Sequence, residues 1–316
     1  MNKMKKIGLS ALAGSLVAFS ASAEITMSGG ASVGVTSANE TRASGYYMGD
    51  SINFTLSGET DSGLTITQKI ELEGGVDNQS TAIAGTFGTL TYHKHGGSSV
   101  MSGWDDMTPN AYEEAWVLAT VTTATSTSAN TEVVMINGRD GDKLWRYDSP
   151  SFSGVSIHAS YLPSSATETE NNHTDLGHYS DFGIQIAPEM VEGLSIGYAT
   201  AELEESATVT VDESTLWIKY TNGPISVGYQ TSEADGATAT QDDEATLMSV
   251  SYAVTDDLSI SYGTAEVDLG SSTTDQESKG ISASYTMGGV SISVAMNSTD
   301  NAGGKTGTTY DVEGYD

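Results

Sequence analysis

One short unit recurs along this chain: a tight turn, then apolar–Ser/Thr–apolar. It reads Gly63-Leu64-Thr65-Ile66, Gly154-Val155-Ser156-Ile157, Gly193-Leu194-Ser195-Ile196, Pro224-Ile225-Ser226-Val227, Asp257-Leu258-Ser259-Ile260 and Gly289-Val290-Ser291-Ile292. Thr86-Phe87-Gly88 before Thr89-Leu90-Thr91 is a weaker copy. Alternation of period two surrounds the copies: Ile52, Phe54 and Leu56 against Asn53, Thr55 and Ser57, or Val290, Ile292 and Val294 against Ser291 and Ser293. Successive side chains of a strand point to opposite faces, so each such strand has one face in an apolar medium and one in a polar medium. From Val155 onward the apolar starts fall at 155, 194, 225, 258 and 290, at intervals of 39, 31, 33 and 32. Two strands of ~10 residues, a short turn and a longer loop fill such an interval. The unit is a β-hairpin, with short turns at one end and polar loops (164–176, 234–243, 270–276) at the other.

Seven short turns imply fourteen strands between about 51 and 300; one strand precedes them at about 24–37 and one begins after them at about 308. The expectation is an all-β chain of sixteen antiparallel strands. One connection breaks the rule: residues 96–141 run for 46 residues without clear alternation. Loops above ~15 residues are uncommon and usually functional. The last strand has about eight residues before Asp316, short of the ~9–11 that span a membrane. It reads as truncated. If it fails to pair with the first strand, two edges stand exposed in lipid.

Composition narrows the medium. Gly, Ser and Thr crowd every segment and are poor helix formers, which disfavours a large helical enzyme. The 15 Tyr, with many Val, Ile and Leu, argue against a disordered acidic chain. There is no Cys, hence no disulfide framework and no thiolate metal site. Residues 1–23 read as an export signal: Lys3, Lys5 and Lys6, an apolar stretch over 7–20, then Ala21-Ser22-Ala23. The remaining 293 residues (24–316) carry 42 acids against nine bases, a formal charge of −33. Such a charge repels nucleic acid and anionic surfaces and draws cations into any enclosed water. No later run of 18 apolar residues exists for a membrane helix. The polar faces are Ser, Thr, Gly, Lys and Glu, as a water-filled barrel requires. Tyr92, Tyr147, Tyr161, Tyr198, Tyr220, Tyr229, Tyr252, Tyr262 and Tyr285 recur near strand ends, where amphipathic rings make an aromatic girdle. A transmembrane barrel fits better than a soluble sandwich.

Motifs with catalytic or metal chemistry have plainer readings. Gly193-Leu194-Ser195-Ile196-Gly197 matches a nucleophile pattern that needs a strand followed by a helix; here it is one copy of the hairpin unit. His93 and His95 lack a third histidine close by and read as pore-lining or loop-base residues rather than metal ligands. Asp140-Gly141-Asp142 is a fragment of a calcium-loop pattern. Incidental calcium at acidic loops is the one ion suggested; no cofactor is expected.

Three stretches carry a family likeness: Glu24-Ile25-Thr26-Met27-Ser28-Gly29, Phe87-Gly88-Thr89-Leu90-Thr91-Tyr92-His93-Lys94, and the run from Arg139 to Pro150, most specifically Arg146-Tyr147-Asp148-Ser149-Pro150. The chain resembles the general-diffusion porins of Gram-negative outer membranes, in the branch common in alphaproteobacteria. The resemblance implies a sixteen-stranded homotrimeric barrel that passes small hydrophilic solutes without catalysis, in contact with outer-membrane lipid and lipopolysaccharide. It further implies that the third loop, here about 96–141, folds inward as a constriction, with loop acids facing wall bases. The loop acids are Asp105, Asp106, Glu113 and Glu114. Lys94 and Arg146 are carried over to the wall; Lys69 joins them by parity, with Arg42 and Arg139 as nearby candidates. Two departures stand out. Arg42, Arg139 and Arg146 are the only arginines, and the chain ends in Tyr315-Asp316 rather than the usual terminal aromatic. The charge leads us to expect cation selectivity. A non-conducting exported surface protein is the alternative.

Overall fold

The computed structural model describes residues 24–38, 45–117, 133–163, 177–206, 209–307 and 310–316. The export segment 1–23 and Arg42 lie outside these residues. Sixteen antiparallel strands form a closed barrel in chain order. They are β1 (Glu24–Ala38), β2 (Gly45–Glu59), β3 (Thr65–Leu72), β4 (Val76–Gly85), β5 (Gly88–His95), β6 (Trp145–Asp148), β7 (Val155–Leu162) and β8 (Tyr179–Ile186), then β9 (Leu194–Ser206), β10 (Val209–Asn222), β11 (Ile225–Asp235), β12 (Asp243–Ala253), β13 (Leu258–Leu269), β14 (Gln276–Met287), β15 (Val290–Asp300) and β16 (Val312–Tyr315). β16 is only four residues long, yet it pairs with β15 and also with β1, at Ser37↔Tyr315 and Ala38↔Gly314. The ring closes only through those two pairs; among the described residues, Glu24–Thr36 of β1 and Val290–Val294 of β15 have no partner strand on that side, so over most of their length the two edges expected from so short a strand remain.

Short turns join β2–β3, β4–β5 and each later even–odd pair, as the repeat predicted. Gly193 shows why glycine opens the unit. Its φ is +82°, and a side chain there would run into the Thr221 carbonyl of the neighbouring hairpin.

Along the turn-proximal part of each strand the apolar residues face outward. Tyr198, Leu216, Ile218, Val227, Tyr229, Met248, Val250, Ile260 and Tyr262 are all exposed, while Ser249, Ser261 and Ser282 on the other face are buried. An apolar surface this continuous is the lipid face of a transmembrane barrel. Changing Val250, mid-band on β12, to arginine should cost about 2–4 kcal/mol, read as a lower urea midpoint for the barrel refolded in vesicles. An unchanged midpoint would remove this face from the hydrocarbon.

Towards the polar loops the pattern inverts. On β9, Ala199, Ala201 and Leu203 turn inward and Glu202 outward; on β13, Ala265, Val267 and Leu269 turn inward and Glu266 and Asp268 outward. The outward acids stand opposite one another across strands: Glu202–Asp212–Asp235, Glu233–Glu244–Asp268 and Glu266–Glu277–Asp300. Like charges so placed repel and are excluded from hydrocarbon. This acidic rim, crossing β9 to β15, therefore stands in water above the lipid band.

Candidate functional site

The inverted interior is where the long loop sits. The chain leaves β5 at His95 and rejoins the wall at Trp145. The loop root is a two-residue ladder, Gly97–Ser98 against Asp140–Gly141. His95 Nδ1 lies 2.8 Å from Asp142 Oδ2, the Gly96 N–H donates to Asp142 Oδ1 at 3.3 Å, and the Ser102 hydroxyl donates to Asp140. The Asp-Gly-Asp fragment therefore fastens the loop root, and His95 is the loop-base residue its position suggested.

Beyond the root the loop runs along the inner wall, and buried wall side chains take up its backbone. Ser160 on β7 accepts from the Val100 N–H at 3.0 Å, and Asp181 on β8 from the Met101 N–H at 3.0 Å. On β11, Gln230 binds the stretch from Trp104 to Met107. Ser249 on β12 donates to the Pro109 carbonyl at 2.7 Å; Ser261 on β13 and Ser282 on β14 accept from Ala111 and Tyr112 at 2.9 and 3.1 Å. Asn297 on β15 donates to the Glu114 and Val117 carbonyls. On the return path Gln276 makes a two-way bond with the Val134 backbone. Loop backbone inside a barrel has no strand partner, so each of these bonds satisfies a group that would otherwise be stranded.

Apolar contact does the rest. Val100, Met101 and Trp104 pack on Tyr179, Ala199, Ala201, Leu203 and Trp217. Ile136 packs on Ala234, Ala245, Leu247, Ala265, Val267 and Leu269. Glycines let the loop approach: a methyl at Gly228 would come within 2.9 Å of Thr108 Cα, and one at Gly183 within 2.9 Å of the Trp104 ring.

Among the described residues, the loop thus covers the wall from β7 to β15 and leaves a passage against β2 to β6. That space has a volume of about 600 Å³ and is lined by Asn53, Lys69, Glu71, His93, Arg146 and Asp148, with Gly96 and Ser98 from the loop root. Lys69, Arg146 and His93 all line this space. Arg146 is occupied by its own side of the barrel. Its Nε lies 3.2 Å from Asp148 Oδ1, and its Nη1 donates to the Ser98 and Ser99 carbonyls at 3.3 and 3.0 Å. Asp148 Oδ1 is also 2.7 Å from His158 Nδ1.

Lys94 is a correction. It is exposed and has the parity of Leu90 and Tyr92, opposite to Thr89, Thr91 and His93, which line the passage. It also falls at an irregularity, where Ser80 pairs with His93 but Gln79 with His95. Arg139 sits half-buried just before the ladder at the loop root and does not line the passage.

The four loop acids do not line this space either; they gather further along the loop, half-buried and within electrostatic reach of one another. Burial pushes Glu114 up to about 7; its backbone N–H opposes this, and Asp106, Glu113 and Asp105 add repulsion. Burial also raises Asp105, with Asp106 and Asp140 repelling it. Asp106 is raised by burial although the Thr108 hydroxyl and N–H (2.6 and 2.8 Å) and the Trp116 indole (3.3 Å) bind it. Glu113 is raised by burial and by Asp316. Sequence reasoning missed Glu71 and Asp148. Both lie two residues along from a predicted base on the same face, which was the available signal. It also missed Lys219, inward on β10, whose charge favours ionised Asp106. Ser195 of the nucleophile-like pattern stays in β9 and accepts from Gln185 Nε2 at 3.2 Å.

The comparisons agree with this architecture. No curated protein matches the chain. A refined porin structure is 16% identical with a TM-score of 0.63, over 92% of this chain and 99% of its own. OmpT of Vibrio cholerae with loop L8 deleted, an outer membrane protein, is 13% identical with a TM-score of 0.66, over 93% and 97%. A triple mutant of Rh. blastica porin is 13% identical with a TM-score of 0.61, over 92% and 99%. Likeness at these identities carries the fold. The model of the Gram-negative porin family matches residues 8–304, and the chain belongs to that family.

Proposed function

We propose that the protein is a passive, cation-selective diffusion channel for small hydrophilic solutes and ions in the outer membrane. We propose further that it is exported by residues 1–23 and assembles as a homotrimer among outer-membrane lipid and lipopolysaccharide. The observation that carries the reading is the inside-out barrel, apolar towards lipid, with the described part of the long loop packed inside beside a polar passage. Lys69 and Arg146 on that passage are matched by Glu71 and Asp148. The clustered loop acids then tip the balance towards negative, and low-dielectric walls focus the field of that charge. Screening, with a Debye length of ~10 Å at 0.1 M salt, weakens the preference at high salt without inverting it.

A planar bilayer under a salt gradient tests this. The expected reversal potential has the sign of cation preference, and neutralising Asp105, Asp106, Glu113 and Glu114 together should lower it and raise anion flux. Anion preference in the unmutated channel would overturn the reading, and an unchanged value in the quadruple variant would take these acids out of selectivity.

A further inference from the structure

We infer that Gln230 is the positioning residue of the loop's acid segment: it fixes where Asp105 and Asp106 stand without itself meeting solute. The inference rests on the channel reading above. Gln230 lies on β11, facing inward and fully buried. Its Oε1 accepts from the Met107 N–H at 2.7 Å, and its Nε2 donates to the Trp104 and Asp105 carbonyls at 2.6 and 3.0 Å. The two sides of one amide thus clasp the backbone on both sides of the acid pair. Ser249, Ser261 and Ser282 each hold a single loop residue; Gln230 holds three.

The clasp is itself braced. Gln230 Nε2 lies 3.0 Å from Thr215 Oγ1, which accepts from the Ser232 hydroxyl at 2.8 Å. The Asp106 carboxylate is oriented within the loop by Thr108. The line of support therefore runs from the β10–β11 wall through Gln230 to the loop backbone, and from there to the carboxylates. A buried amide of this kind is hard to replace: a carboxylate keeps one acceptor and loses both donors, and an alkyl group leaves two carbonyls and an N–H without partners.

Gln230→Leu, with Thr215→Val as a second and milder variant, separates positioning from folding. Both are refolded, and shifted migration on unheated gels verifies closed barrels. Single-channel recordings then give the cation-to-anion permeability ratio and the open-channel noise. The expected result for Gln230→Leu is a ratio reduced about twofold with noisy substates, because acids held in several positions present a blurred field. Thr215→Val should shift both readings in the same direction by less, and it carries the test if Gln230→Leu does not fold. A purely structural role would lower stability and leave the ratio alone. A cation-selective wild type whose folded variants keep its ratio and quiet current overturns this inference by itself. A wild-type barrel without conductance overturns the channel reading, and this inference with it.

Discussion

Trp217→Ala is expected to lower the barrel's unfolding free energy by about 3–5 kcal/mol and to raise its conductance in the same step. Trp217 is 1% exposed, lies over Gly197 and meets the edge of Trp104 at 5.5 Å between ring centroids, the planes 88° apart. One side of that contact is wall and the other is loop. Removing the indole leaves a void that neither the strand ladder nor the glycine beneath can fill. It also takes away the largest surface on which Trp104 rests. The wall survives through its ladder, but the loop's first half loses its seat, and a loosened loop constricts less. Urea titration of the refolded protein in vesicles measures the first effect and single-channel conductance the second. Leu216→Ala, one residue away but facing lipid, is the control and should change conductance little. A large stability loss at unchanged conductance would mean that the loop keeps its place without Trp217.

Moving from pH 6 to pH 8 should markedly increase cation preference. Glu114, pushed up to about 7 chiefly by burial, passes from roughly one-tenth to roughly nine-tenths ionised across that interval. Asp105, Asp106 and Glu113 are also raised by burial, so they too gain charge later than ordinary carboxylates. Reversal potentials at pH 6, 7 and 8 check this. Glu114→Gln should flatten the profile, and a wild-type value that is constant from 6 to 8 would contradict it. Stability moves in the opposite direction. The folded state holds the Glu114 proton while the unfolded chain releases it near the ordinary value of 4.5. This group's contribution is therefore full below about 4.5 and declines as pH rises to about 7.

Strand number and turn positions were legible because lipid and water impose a strict period of two. The loop's seat was not, although a trace of it is visible. On β13 the apolar residues run Leu258, Ile260 and Tyr262, then change parity to Ala265, Val267 and Leu269, with Glu266 and Asp268 between. That switch records a strand leaving the membrane, wet outside and packed inside. Gln230, Gln276 and Asn297 look like any pore-lining amides in the sequence, since nothing local shows that a loop backbone will lie on them. The acids fared likewise. A carboxylate near the loop's middle is a fair candidate for constriction, but which way the loop leans is decided by distant contacts such as Trp104 on Trp217.

The acidic rim bears on how the barrel gets into the membrane. An inserting barrel must push one end through hydrocarbon. The seven short turns carry five acids: Asp61, Glu189, Glu192, Asp256 and Asp257. The opposite end carries the nine outward carboxylates of the rim, along with the longer polar loops. Each charge crossing the midplane adds its own penalty, so the turn end leads whenever the barrel enters unaided, and the rim remains on the side of entry. Porin-type barrels keep their turns on the periplasmic side and their loops outside, so a barrel that arrives from the periplasm has to pass its rim through first. Unaided entry would therefore leave every copy inverted. Setting the rim outward is thus the costlier of the two directions of insertion.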